Sequence, residues 1–116
     1  MTLKTGKVHE VDAAAFNKMV REPSLPILLY IWAPWCPPCL PMGPEYEKAA
    51  AACTDVLFLK VNAATDSQLL TALNIASVPT LVLNDSNGVQ VARFTGALTA
   101  PQIAALLERS LGSPAV

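Results

Sequence analysis

The stretch Ile27-Leu28-Leu29-Tyr30-Ile31-Trp32-Ala33-Pro34-Trp35-Cys36-Pro37-Pro38-Cys39 decides how the rest of this chain is read. From Ile27 to Ala33 it is almost continuously apolar, as suits a central strand covered on both faces. Two cysteines separated by two residues follow at once, and a segment of helical character comes after them. Such a pair can close a small disulfide ring or stand open as a dithiol, and at a strand-to-helix junction it reads as a thiol–disulfide redox centre. Zinc is the rival occupant, but it wants four ligands. Beyond the pair the chain offers only Cys53 and the single His9, neither at ligand spacing, so no metal is expected.

Upstream of this stretch, Lys7-Val8-His9-Glu10-Val11 alternates as a short strand. Asp12 suits the N-cap of a helix, with Val11 and Phe16 placed as a hydrophobic staple. Phe16, Met19 and Val20 share one face, and Pro23 and Pro26 stop the helix near Arg21. Downstream, Trp35 to Ala52 reads as a helix that starts at the cysteine pair, bends near Pro41 to Pro44 and runs regularly from Glu45. Met42, Tyr46, Ala49 and Ala50 form its inward stripe. Val56 to Val61 is a second buried strand. Thr65 and Gln68 have the spacing of a capping box before Leu69, Leu70 and Leu73, and Asn74 suits the C-cap.

Thr80 to Leu83 is a strand, Asn87-Gly88 signals a hairpin, and Val89 to Thr95 returns antiparallel. Thr99 and Gln102 form a second capping-box pair, with Pro101 in the first turn. Ile103, Leu106, Leu107 and Leu111 line the last helix, Gly112-Ser113-Pro114 ends it, and residues 112–116 form a loose tail. The pattern β-α-β-α-β-α-β-β-α predicts an α/β fold: one five-stranded mixed sheet with helices on both faces, in a single domain spanning 1–116.

Composition narrows the function classes. With 53% hydrophobic and 15% charged residues in 116, the chain can bury a core and is not a disordered segment. A net charge of −1 without a basic cluster argues against nucleic acid as a partner. No apolar run reaches the ~20 residues that cross a bilayer, so no membrane partner is expected. The N-terminus carries charge but no apolar signal region, which makes the cytoplasm the default compartment. A chain whose secretion signal had been removed would read the same, so the periplasm stays open. Three cysteines are too few for a stapled secreted scaffold.

At this point the chain resembles the thioredoxin family over nearly its whole length. The Trp-Cys-x-Pro-Cys motif matches at Trp35, Cys36, Pro38 and Cys39, and the helix proline at Pro44. The cis-proline motif matches Ile75-Ala76-Ser77-Val78-Pro79-Thr80, and Lys60 and Gly96 fall in register. The resemblance implies a thioredoxin fold and protein-disulfide reductase activity, with a redox-active Cys36–Cys39 disulfide and no bound cofactor. It implies Cys36 as nucleophile, at a helix start whose unpaired N–H groups favour a thiolate. Cys39, less exposed, is the resolving cysteine. Pro79 is expected cis, which holds the Val78 backbone beside Cys36 for strand addition by substrate and bars a metal from the thiols. Trp35, Pro34, Val78, Gly96 and Ala97 form an apolar rim for the substrate chain. Lys60 is a candidate for proton transfer. The expected partners are disulfide-containing proteins and a thioredoxin-reductase-type electron donor, the expected role is electron transfer in cell redox homeostasis, and the protein is expected to be a monomer.

Two departures modify this. Pro37 stands where thioredoxin has glycine, and like Pro38 it has no N–H to offer the Cys36 sulfur. Tyr30 stands where thioredoxin has a buried acid. It is expected to be a buried aromatic with a satisfied hydroxyl near Cys39, and its ordinary pKa of ~10 makes it a poor base. Trp32 and Cys53 are read as core residues, and His9 is given no role. Two rival readings are an extracytoplasmic oxidant or isomerase of the same fold, and a thioredoxin-fold binding module whose cysteine pair is incidental.

Overall fold

The computed structural model of the protein describes residues 3–22 and 25–112. Met1, the Pro23 stop and the 113–116 tail lie outside the described residues. The elements are β1 (Val8–Glu10), α1 (Ala13–Arg21), β2 (Ile27–Trp32), α2 (Cys39–Ala52), β3 (Leu57–Asn62), α3 (Ser67–Ala72), β4 (Thr80–Asn84), β5 (Gln90–Thr95) and α4 (Ala100–Leu111). The strands form one sheet in the order β1-β3-β2-β4-β5. β1 and β2 both pair parallel with β3, while β4 pairs antiparallel with β2 and with β5.

Side chains alternate across a strand, and that period sorts the core into two layers. Ile27, Leu29 and Ile31 point to one face with Leu59, Val61 and Val82, where Phe16 of α1 and Leu69 of α3 close over them. Leu28 and Tyr30 point to the other face with Phe58, Leu81 and Leu83, under Met42 and Tyr46 of α2 and Ile103, Leu106 and Leu107 of α4. β2 is buried along Ile27–Ile31 and has a strand on each edge.

Several helix ends form as their residues dictate. The Asp12 carboxylate accepts from the Ala15 N–H at 2.8 Å. Thr99 and Gln102 make both bonds of a capping box. Asn74 adopts φ +56° just beyond α3; its N–H reaches the Thr71 carbonyl and that of Ile75 reaches Leu70, the paired bonds of a Schellman end.

The Thr65–Gln68 box does not form. The Asn62 side chain accepts from the Ala64 N–H, and the Asn62 carbonyl accepts the Thr65 hydroxyl and the Thr65 and Asp66 amides. Thr65 is consumed by this turn, and α3 starts one residue later behind Asp66. The freed Asp66 carboxylate instead accepts from Ala13 N–H at the start of α1, at 3.3 Å. The β4–β5 connection is also longer than an Asn-Gly two-residue turn. Asp85 organises it, accepting from the amides of Asn87, Gly88 and Val89, and of the turn residues only Gly88 has positive φ.

α2 is continuous through Pro44, while Pro41 falls in the first turn, where a missing N–H costs little. The helix is pinned to the sheet by Tyr46. Its hydroxyl is fully buried and lies 2.9 Å from the Leu28 carbonyl and 2.7 Å from that of Leu59, so one O–H serves acceptors on two strands. The Tyr46 ring stacks at a tilt against Tyr30 and Phe58, with centroids 4.9 and 5.1 Å apart. Replacing Tyr46 with Phe removes the donor and keeps the ring. Urea unfolding should show a loss of about 1–3 kcal/mol, the cost of a deleted buried hydrogen bond, as a lower midpoint at unchanged slope.

Candidate active site

The cysteines sit where β2 leaves the sheet. Cys36 and Cys39 are joined as a disulfide, with Cα atoms 5.4 Å apart. A chain of short turns places them: Cys36 N–H donates to the Ala33 carbonyl, Cys39 N–H to Cys36, and Leu40 N–H to Pro37, at 3.1–3.2 Å. α2 begins at Cys39 with Pro38 as its N-cap, so Cys36 lies outside the helix.

This corrects two expectations. The helix start was to give Cys36 unpaired N–H donors. Instead Pro37, Pro38 and Pro41 have none, and the Cys39 and Leu40 amides are used within the turn. What remains for a Cys36 thiolate is the axial field of α2, without close amide donors from 37–41. Cys39 was also expected to be the less exposed cysteine. Both residues are buried in the disulfide, Cys36 at 3% and Cys39 at 5% exposure, because the turn folds the pair onto the Ile31–Ala33–Ala63 cluster.

Around the pair, Trp35 stands 68% exposed. Val78 packs on the cluster that holds both cysteines, and the Val78–Pro79 peptide is cis. Within this loop the Ser77 carbonyl accepts from the Thr80 hydroxyl and the Pro79 carbonyl from the Gly96 N–H. Among the described residues no hydrogen bond engages the N–H or C=O of Val78. Gly96 has φ +125°, a conformation that favours glycine; Ala97 follows it, exposed.

Behind Cys39, on the α2 face of the sheet, lies a cavity of about 190 Å³ lined by Tyr30, Trp32, Cys39, Leu40 and Lys60 among others. Tyr30 and Lys60 are register partners on β2 and β3. The Tyr30 hydroxyl donates to the Cys39 carbonyl at 3.1 Å. It is both satisfied and adjacent to the second cysteine. Burial pushes its pKa up to about 12, so it holds the first turn of α2 and does not act as a base. The Lys60 ammonium lies over the Trp32 ring, 5.4 Å from its centroid. Trp32 is half-buried and packs on both core layers. Its Nε1–H is buried and has no partner among the described residues, a feature no sequence pattern announces. Cys53 is a free, half-buried thiol at the end of α2, pushed up by burial and by the Asp55 carboxylate.

The thioredoxin family model matches residues 7–109. The chain belongs to the thioredoxin family. Thioredoxin C-3 of Corynebacterium nephridii is 33% identical over 102 residues, which cover 88% of this chain and 70% of that one. A thioredoxin of Haemophilus influenzae is 32% identical over 106 residues, covering 90% and 98%. The crystal structure of thioredoxin f from spinach chloroplast (short form) superposes with a TM-score of 0.84 at 31% identity, covering 96% of this chain and 99% of that chain. The fold is the thioredoxin fold, and this thioredoxin is a thiol–disulfide oxidoreductase of the disulfide-reductase type.

Tyr30 and Tyr46 are the only tyrosines, and burial raises both above the ordinary value of 10.0. In an alkaline titration the tyrosinate absorbance should therefore be absent at pH 10, where a free phenol is half ionised. Since the unfolded chain ionises first, the stability linked to these phenols is complete below pH 10 and is lost as the pH rises through their raised values, about 12 for Tyr30 and well above 10.0 for Tyr46. A quarter of the full tyrosinate absorbance at pH 10 with the fold intact would show that one of the two phenols is open to solvent.

Proposed function

We propose that this thioredoxin reduces protein disulfides with Cys36 as nucleophile and Cys39 as resolving thiol. The observation that carries the assignment is the position of the pair at the exit of β2, beside the unengaged Val78 backbone. A substrate segment lies extended along Val78 and Pro79, in contact with Trp35, Gly96 and Ala97. The Cys36 thiolate attacks one substrate sulfur, forming a mixed disulfide and releasing the other sulfur as a thiolate. Cys39, deprotonated, attacks Cys36 and releases the second substrate thiolate. Two electrons pass to the substrate, whose sulfurs take up two protons, and the enzyme is left as the Cys36–Cys39 disulfide.

Lys60 supports the second attack. It is the cation bordering the cavity behind Cys39, and the raised Tyr30 phenol does not compete for the proton. The Cys39 proton leaves through that cavity to the departing thiolate, by way of water. Pro37 and Pro38 keep the two cysteines in one turn, and no bound cofactor takes part.

The oxidised pair is returned to the dithiol by exchange with a thioredoxin-reductase-type donor. A related thioredoxin f2, 26% identical with a TM-score of 0.81, is described in complex with ferredoxin:thioredoxin reductase, which supports a donor of that kind. Cysteine usage, one redox pair and one free thiol, supports work in a reducing compartment such as the cytoplasm.

Two measurements test the roles. With insulin as substrate, Cys36→Ser should reduce turnover to the uncatalysed background. Cys39→Ser should accumulate a mixed disulfide visible by mass spectrometry, and trapping through Cys39 in the Cys36→Ser protein would reverse the assignment. Separately, Lys60→Met should slow decay of the mixed disulfide on the order of tenfold, as for loss of one partly screened charge, with Lys60→Arg close to wild type. Equal decay rates in all three proteins would remove Lys60 from the mechanism.

A further inference from the structure

The segment that leads from α3 to β4 carries the Val78 backbone, and β5 holds it at both ends. At the far end the Gly96 N–H donates to the Pro79 carbonyl at 2.9 Å. Just before it, the Thr80 hydroxyl donates to the Ser77 carbonyl at 2.7 Å and lies 3.3 Å from the Thr95 hydroxyl. At the near end stands Arg93, whose guanidinium donates to the Leu73 carbonyl at 2.6 Å and to the Asn74 carbonyl at 3.0 Å. Between these anchors, from Ala76 to Val78, the Ser77 carbonyl is the only backbone group engaged among the described residues.

The near anchor meets a weak helix end. α3 has six residues and no basic residue in its last turn. The chain leaves it through Asn74 at φ +56°, the one non-glycine in the left-handed region among the described residues. The last carbonyls of a helix lack intrahelical donors and attract cations. Among the described residues neither the Leu73 nor the Asn74 carbonyl accepts any other hydrogen bond. Arg93 reaches them because Val82, its register partner on β4, points to the α3 face of the sheet, and Arg93 points with it. A planar guanidinium can serve both carbonyls at once, whereas an ammonium is a single point of charge. Gln90 braces the same fork, its Oε1 accepting at 3.2 Å. Arg93 is exposed and belongs to neither core layer.

We propose that Arg93 is a positioning residue for protein-disulfide reduction: by bridging the Leu73 and Asn74 carbonyls it fixes the direction in which the chain leaves α3, and with it the place of the Val78 N–H and C=O beside Cys36. The inference rests on the reductase reading above and adds to it a residue outside the contact surface. Arg93 acts through the loop and touches no reacting atom. Without it, β5 holds the loop only at its Ser77–Thr80 end, and the residues before Val78 turn about Asn74. A protein substrate that pairs with the Val78 backbone is sensitive to that change. A disulfide too small to pair with the backbone is not.

The test uses the reduced protein as wild type, Arg93→Met and Arg93→Lys. Each is mixed with insulin or with hydroxyethyl disulfide, and the loss of free thiol is followed by alkylation and mass spectrometry. Arg93→Met should lower the second-order rate on insulin roughly tenfold, the scale of one hydrogen bond, and leave the rate on hydroxyethyl disulfide within about twofold. Arg93→Lys should fall between wild type and Arg93→Met on insulin. Hydrogen exchange at the Ile75 N–H should quicken in Arg93→Met while the β2 amides keep their wild-type rates, which separates a displaced loop from a loosened fold. Equal slowing on both disulfides, unchanged reduction of insulin, or unchanged exchange at Ile75 overturns the role of Arg93 and leaves the reductase reading standing. Failure of the wild-type protein on both disulfides overturns the reductase reading, and the role of Arg93 with it.

Discussion

A strand that is paired on both edges and covered on both faces can be left only along its axis. β2 is such a strand, and the chain that follows it has to emerge at the end of the sheet. The redox turn is that exit. Cys36 and Cys39 are presented there because Leu28 and Tyr30 are locked under α2, and Leu29 and Ile31 under α1 and α3. The same constraint fixes what stands beside them. β4 runs antiparallel to β2, and β5 antiparallel to β4, so the start of β4 and the end of β5 lie at the end of the sheet where β2 leaves it. That brings the Val78–Pro79 loop and Gly96 alongside the pair, joined by the Gly96 N–H to Pro79 carbonyl bond.

The electrostatics of the site depend on what proline removes. A helix N-terminus ordinarily meets an anion with several free amides. Here the positions that would supply them are proline or are bonded within the turn, and Tyr30 behind Cys39 is a buried phenol whose pKa is pushed up to about 12. The site keeps the axial field of α2 in front of Cys36 and one cation, Lys60, behind Cys39. Acid–base work is thereby divided from substrate contact. The titratable support lies behind Cys39, and residues 33–41, 74–79 and 95–99 carry no acidic or basic side chain.

Much of this was legible in the chain. The nearly continuous apolar run from Ile27 to Ala33 pointed to a strand covered on both faces, and the cysteine spacing at its end pointed to the chemistry. What was less legible is shown by two identical motifs. Thr99–Gln102 and Thr65–Gln68 have the same spacing, and only the first forms a capping box. The difference is Asn62, whose side chain and carbonyl capture the residues after β3 first. Local competition of this kind is invisible to a motif read alone. The same holds for Arg93, whose carbonyl partners at the end of α3 are brought to it by the fold, and for the Trp32 Nε1–H, whose isolation is a fact of packing. The burial of Cys36 was missed because position relative to a helix was taken for exposure, while the turn that folds the residue inward is made by backbone bonds.

The double proline has a kinetic consequence. With their φ angles fixed, Pro37 and Pro38 leave the link between the cysteines few conformations in any redox state, and Cα atoms 5.4 Å apart are already within bonding reach. In the mechanism proposed above, the Cys39 thiol therefore meets the Cys36 sulfur at a high effective molarity, with much of the orientational entropy of the second displacement removed in advance. The covalent intermediate with a substrate is correspondingly brief. On that mechanism turnover is limited by how fast a partner is met and turned to fit, and hardly at all by how fast it is let go.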